Sequence, residues 1–188
     1  MNKPLKTLSG ILLIVLGFGL IAGLAFPALT DAQHAGRTEK HMVLDFPFLK
    51  KEKSELVLVY FGYVGCTRVC TPALNDMTSI YHGLREQNLK TLPSIWFVNM
   101  TPEMDPLSVQ SWAEHFDKHF KSYAPHENEL HSMVQLLNLV YSDLGVEAEH
   151  MPYLYLIRKV GTKYELVYIY TSSPYNRELI LKDIGALQ

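Results

Sequence analysis

Cys66 and Cys70 are the only cysteines in this 188-residue chain, and their spacing is the first sign of chemistry. Residues i and i+4 share one face of a helix, so a single turn can aim two sulfurs at a common centre. A structural disulfide would close a loop of about five residues, worth only roughly 2 kcal/mol in the chain-entropy account, against nearly 5 for a loop of about a hundred. A structural zinc site normally needs four ligands, and no third or fourth cysteine exists. Redox chemistry, or binding of a soft metal, accounts better for the pair. Unpaired N–H groups and the positive end of a helix dipole stabilise thiolate, and Arg68 between the cysteines acts the same way. Both thiols are therefore expected to be reactive.

The elements around the pair explain how it is presented. Leu56 to Phe61 (LVLVYF) is an apolar, β-branched and aromatic run of the kind that forms a strand buried on both faces. Gly62 and Gly65 break the run, and a helix should begin near Thr71 and Pro72 and end near Gln87, with Leu74, Met77, Ile80, Tyr81 and Leu84 on one face. Leu92 to Met100 reads as a second buried strand. Asp105-Pro106 opens another helix with Leu107, Trp112, Phe116 and Phe120 inward. A further helix is expected over 128–144. Strands over 153–158 and 164–170 are joined at Gly161 as a hairpin. Pro174 and Tyr175 lead into a last helix to about Ile184. Val43 to Leu49 reads as an edge strand, because Pro47 argues against a central one. This order of strands and helices, with the cysteines after the first main strand, is that of an α/β, thioredoxin-like domain with an inserted helix.

Of eight histidines, most read as solvated surface groups. His34 and His41 fall in a polar stretch, His115 and His119 are four apart on a helix face, and His82, His126 and His131 stand alone. His150 differs because Glu149-His150-Met151-Pro152 immediately precedes the strand YLYLIR. In a thioredoxin-like sheet that loop often carries a cis proline and lies against the cysteine-bearing helix start. Two thiolates and one imidazole would make a three-coordinate N/S site suited to copper, although the spacing alone leaves His150 open as a ligand.

Lys3 and Lys6 precede an uncharged run from Gly10 to Leu29, long enough at about 30 Å to span a bilayer as one transmembrane helix. The lysines belong on the cytoplasmic side, which places the rest of the chain across the membrane. A retained anchor over residues 1–30 is favoured over a cleaved signal peptide, whose site would be Thr30-Asp31-Ala32. Residues 31–42 are polar and read as a tether, leaving 43–188 as the folded domain. Beyond the anchor the chain carries 15 basic and 19 acidic residues, so a nucleic-acid partner is not expected.

The stretch FGYVGCTRVCTPAL, followed 80 residues after Cys70 by EHMPYLYLI, resembles the Sco/SenC family. VNMTPEMDPLSVQSWAEHF resembles the family's strand and helix between those motifs. The resemblance covers roughly residues 43–171 and implies a thioredoxin-like domain on a single-pass anchor in the bacterial inner membrane, facing the periplasm. It implies copper bound by Cys66, Cys70 and His150, and a chaperone role in building the binuclear copper site of cytochrome c oxidase. The implied partners are the oxidase subunit that holds that site, a thiol reductant and the membrane. Thr67 and Arg68 stand where the family commonly has Pro-Asp, Asn99 stands near a usual Asp, and Glu149 replaces another. These departures mark a divergent branch. An alternative reading is a thiol–disulfide oxidoreductase or redox sensor using the same cysteines, with His150 only a modulator; a peroxide-reducing relative is a third.

Overall fold

The computed structural model describes residues 16–17, 19–20, 36–87, 89–140 and 151–188. The chain divides into two units, residues 1–35 and 36–188. In the first, Leu16, Gly17, Gly19 and Leu20 are described and are helical. Among the described residues no helix is long and apolar enough to cross a membrane, and the rest of the expected anchor lies outside them.

The second unit is built on one mixed sheet of six strands in the order β1-β6-β5-β2-β3-β4. The strands are β1 (Arg37–Leu44), β2 (Leu56–Gly62), β3 (Ser94–Asn99), β4 (Lys121–Tyr123), β5 (Leu154–Val160) and β6 (Lys163–Tyr170). β2 runs parallel to β3, and β3 to β4. β5 is antiparallel to both β2 and β6, and β1 is antiparallel to β6. Every residue of β2 is buried, as its unbroken apolar sequence requires. Burying each large side chain there contributes roughly 1.5 to 3 kcal/mol.

The helices are α1 (Pro47–Lys50), α2 (Cys70–Glu86), α3 (Pro106–Phe116), α4 (Glu127–Leu137) and α5 (Arg177–Ala186). α2 buries Ala73, Leu74, Met77, Ile80, Tyr81 and Leu84, the face its spacing predicts, and packs against α5 and α3.

Several expectations are corrected. Residues 37–42, read as tether, form most of β1. A half-exposed edge strand tolerates polar residues, and these are held by distant partners: Arg37 pairs with Asp183 and lies over the Tyr168 ring, while His41 sits between Glu39 and Glu165. Residues 45–49 leave the sheet, and Pro47 starts α1, where its missing N–H costs nothing. Leu107 is 76% exposed; Val109 and Ala113 form the buried stripe of α3, and Phe120 is buried beyond the helix end. α4 stops at Leu137 because Asn138 turns left-handed at φ +51°, short of the expected Leu144. Among the described residues the cis peptide bond precedes Pro174, not Pro152.

Candidate functional site

The cysteines lie at the carboxyl end of β2, where a set of short hydrogen bonds fixes their geometry. Met100 N–H donates to the Gly62 carbonyl at 2.7 Å, carrying the β2–β3 ladder to its last position. The chain then turns: Cys66 N–H donates to the Tyr63 carbonyl at 3.2 Å, and Gly65 takes φ +82° between them. Glycine suits a third turn residue with positive φ, where a Cβ would be strained. After the turn, Thr71 donates to the Cys66 carbonyl through both its N–H at 3.2 Å and its hydroxyl at 3.0 Å. Cys70 is the first residue of α2, and its N–H donates to Cys66 Sγ at 3.3 Å. That helix-start donor is the local device by which the first sulfur is held against the second.

Cys70 Sγ in turn accepts the Tyr63 N–H at 3.5 Å and is hydrogen-bonded to the Cys66 thiol and the Tyr60 hydroxyl. Both cysteines are free thiols, 1% and 0% exposed. Glycine at 62 is what leaves space for this packing, since a Cβ there would sit 3.0 Å from Cys70 Sγ and 2.7 Å from the Tyr60 ring.

This environment corrects the expectation that both thiols are reactive. Burial pushes the Cys70 thiol up to about 12, and the neighbouring Cys66 adds to the shift. The Tyr63 N–H and Tyr60 hydroxyl oppose it without prevailing. Arg68 is exposed, as is Thr67, so its charge is spent in water. Desolvation outweighs the helix start.

Asn99, at the end of β3, has a role at the cysteine loop that the sequence does not announce. Fully buried, it accepts the Val64 N–H at 3.3 Å and donates to the Thr101 carbonyl at 2.7 Å. One amide thus ties the cysteine loop to the next strand. Its Nδ2 also approaches Met104 Sδ at 3.5 Å.

β5 starts at Leu154, paired with Tyr60 on β2, so the segment entering β5 is at the same end of the sheet as the cysteine loop. Within it, Met151 is exposed, and Tyr153 N–H donates to the Met151 carbonyl at 2.8 Å across Pro152. His150 lies outside the described residues. Among the described residues no group of three or more His, Cys, Asp or Glu could hold a metal ion.

Among the described residues, His82, His119 and His126 are engaged with carboxylates outside this centre. His82 and His119 bind the two oxygens of Asp117 at 2.9 and 2.7 Å, and His126 faces Glu103 at 3.1 Å. His119 lies past the end of α3, so it shares no helix face with His115.

Residues 50–185 match the SCO1/SenC family. The chain belongs to the SCO1/SenC family. A SCO2-like protein of Rickettsia conorii is 28% identical over 132 residues, 66% of this chain and 63% of the relative. One from Rickettsia felis is 28% identical over 130 residues, 65% of this chain and 62% of the relative. The match thus spans under two thirds of the length of these SCO/SenC relatives. Among solved structures, Bradyrhizobium japonicum ScoI with copper bound superposes at TM-score 0.60 with 16% identity, covering 80% of this chain and 99% of that one. Apo Sco1 from Thermus thermophilus gives 0.57 with 21% identity, covering 82% and 94%. The mixed sheet described above is the thioredoxin-like fold of these Sco structures.

Proposed function

We propose that this chain is a copper-binding assembly factor: a membrane-anchored, periplasmic chaperone that carries copper to the binuclear copper site of cytochrome c oxidase. Cys66 and Cys70 supply two thiolates and His150 an imidazole, and oxidation of the pair to a disulfide ends binding. The observation that carries the reading is the mutual packing of two free, buried thiols, each accepting a backbone N–H, beside the Tyr60 hydroxyl. Two buried soft donors suit a monovalent copper ion. Relatives in the same fold are described with copper bound, from Bradyrhizobium japonicum and Arabidopsis thaliana.

The copper is cargo, and this chain's own residues prepare its seat. The Cys70 N–H fixes the Cys66 sulfur, the Tyr63 N–H fixes the Cys70 sulfur, and Asn99 holds the turn before Cys66 at Val64. Copper capture must expel the Cys70 proton, so affinity rises with pH.

The test is an anaerobic Cu(I) competition titration of the reduced full-length chain against a chromophoric chelator. One tight equivalent, weakened on the order of a hundredfold or more by His150→Ala and by Cys70→Ser, is the expected result. Equal affinity in the parent and His150→Ala would remove His150 as a ligand. It would shift the assignment to a thiol–disulfide oxidoreductase.

A further inference from the structure

Tyr60 carries a polar atom into the most buried part of the molecule. It stands on β2, paired with Phe97 on one side and Leu154 on the other, and is 0% exposed. Its ring stacks on that of Phe97, with 6.4 Å between centroids. A hydroxyl buried this completely is destabilising unless it is bonded, and here it donates to Cys70 Sγ. Gly62 permits the approach. The point where a Cβ would stand lies 2.7 Å from Tyr60 Cε1, the carbon beside the hydroxyl-bearing one, and 3.0 Å from Cys70 Sγ.

Tyr175 is also buried beside Cys70, yet its polar groups are committed elsewhere. Its hydroxyl donates to the Pro152 carbonyl at 2.7 Å and its N–H to Asp76 Oδ2 at 3.3 Å. The Thr71 hydroxyl is taken up by the Cys66 carbonyl. The Tyr63 and Cys70 N–H groups that reach the two sulfurs belong to the backbone. Tyr60 is therefore the residue whose side-chain hydroxyl serves Cys70.

That hydroxyl distinguishes the two states of the pair. In the open pair Cys70 presents a thiol or a thiolate, and a charged acceptor makes a hydrogen bond about twice as strong as a neutral one. In a Cys66–Cys70 disulfide the same sulfur is neutral and is drawn towards Cys66. Tyr60 cannot follow it, because two neighbouring strands and the Phe97 ring hold it in place. Closure weakens the bond and leaves a buried hydroxyl poorly served.

We propose that Tyr60 is a positioning residue that biases the cysteine pair towards the open dithiol, through a hydroxyl placed to hold Cys70 Sγ only while that sulfur is not bonded to Cys66. This rests on the reading of Cys66 and Cys70 as a pair that opens and closes. Opening breaks one S–S bond and delivers two electrons and two protons to the cysteines. A dithiol reductant supplies them and becomes a cyclic disulfide.

The test equilibrates the metal-free, full-length chain in dithiothreitol redox buffers at pH 7 and reads the dithiol fraction by alkylation and mass. Tyr60→Phe keeps the ring and removes the hydroxyl. The equilibrium constant for opening should fall about three- to tenfold, the effect of one net hydrogen bond. At about 30 mV per tenfold, the reduction potential becomes about 15 to 30 mV more negative. An unchanged potential, or a shift to less negative values, overturns the proposal. A hydroxyl that only stabilises the fold would lower the urea stability of the oxidised and reduced chains equally, whereas here the reduced chain should lose more. Phe97→Leu removes the stacked ring and leaves the hydroxyl, so it should lower stability while moving the opening constant less than about twofold. A shift as large as that of Tyr60→Phe would assign the effect to packing and overturn the role. A parent that forms no Cys66–Cys70 disulfide also overturns it, and the copper titration, made on the reduced chain, still stands. Absence of tight copper binding with the potential shift intact overturns the functional reading alone.

Discussion

Asn99→Asp is the sharpest test of how the cysteine loop is held. The side chain is 0% exposed, and its two polar atoms do opposite work, one accepting from Val64 at 3.3 Å and one donating to Thr101 at 2.7 Å. Aspartate has the same shape, but an ionised carboxylate only accepts. It would face the Thr101 carbonyl with no proton between the oxygens. The variant can keep a proton and preserve both bonds, which costs about 1.4 kcal/mol per pH unit above an unfolded value of about 3.9, or about 4 kcal/mol at pH 7. Alternatively it can ionise in place, losing the Thr101 bond and desolvating a charge, at a cost on the order of 2 to 4 kcal/mol. The cheaper state is adopted, so the loss at pH 7 should lie between about 2 and 4 kcal/mol. Because the native pKa is raised above the unfolded one, the loss vanishes below about pH 4 and grows as pH rises towards the native value. Urea unfolding of the full-length chain at several pH values, followed by Trp96 and Trp112 fluorescence, measures it. A penalty independent of pH, or no penalty at pH 7, would refute the two-way role of the amide.

Two further outcomes follow from buried neighbours. Burial works to raise the Glu52 carboxyl, but Lys121, the Ser54 and Lys53 N–H groups and Trp96 Nε1 hold it down at about 2, with contacts of 2.7 to 2.9 Å. Its native pKa lies below the unfolded one, so its contribution is full above about pH 4.5 and is lost as pH falls towards 2. Glu52→Gln should cost about 1 to 3 kcal/mol at pH 7, allowing for the half-exposed Lys121. That difference from the parent should shrink on acidification, and a constant difference in pH-dependent urea midpoints would contradict the account. Gly62→Ala drives a methyl to 2.7 Å from the Tyr60 ring, 3.0 Å from Cys70 Sγ and 3.1 Å from the Phe97 ring. It should lower stability by about 1 to 3 kcal/mol and weaken Cu(I) binding with it. A variant as stable as the parent in urea would mean that those rings give way freely.

What the sequence discloses depends on how far its signals must reach. β2, α2 and the β5–β6 hairpin are written in local patterns: an unbroken apolar run, a helical stripe from Leu74 to Leu84, and Gly161 at φ +62° in the turn. β1 is not, because its polar residues are paid for by Asp183, Tyr168 and Glu165, more than a hundred positions away. β4, only three residues long, has no period to detect. Leu107 misleads because it sits about 200° around the helix from Val109. At the site, the spacing of Cys66 and Cys70 points to two neighbouring sulfurs on one helical turn. Cys66 instead lies in the loop, and only Cys70, the first residue of α2, is helical, its N–H holding the Cys66 sulfur. The hydrogen bonds from Asn99 and Tyr175 become visible only when the sheet brings residues 64, 76, 99, 152 and 175 into range of one another.

The state of Cys70 bears on which of two chemistries the pair can perform. Thiol–disulfide exchange is carried by thiolate, and its rate scales with the fraction present. A thiol pushed up to about 12 stays protonated at neutral pH, so Cys70 is a poor attacking group. Metal binding imposes no such kinetic demand. It needs only that the metal's affinity for the two sulfurs exceed the cost of releasing the proton. A thiolate in a site this dry is unfavourable alone, and a monovalent cation offsets its charge where water cannot. Burial therefore disfavours Cys70 itself as the attacking thiolate.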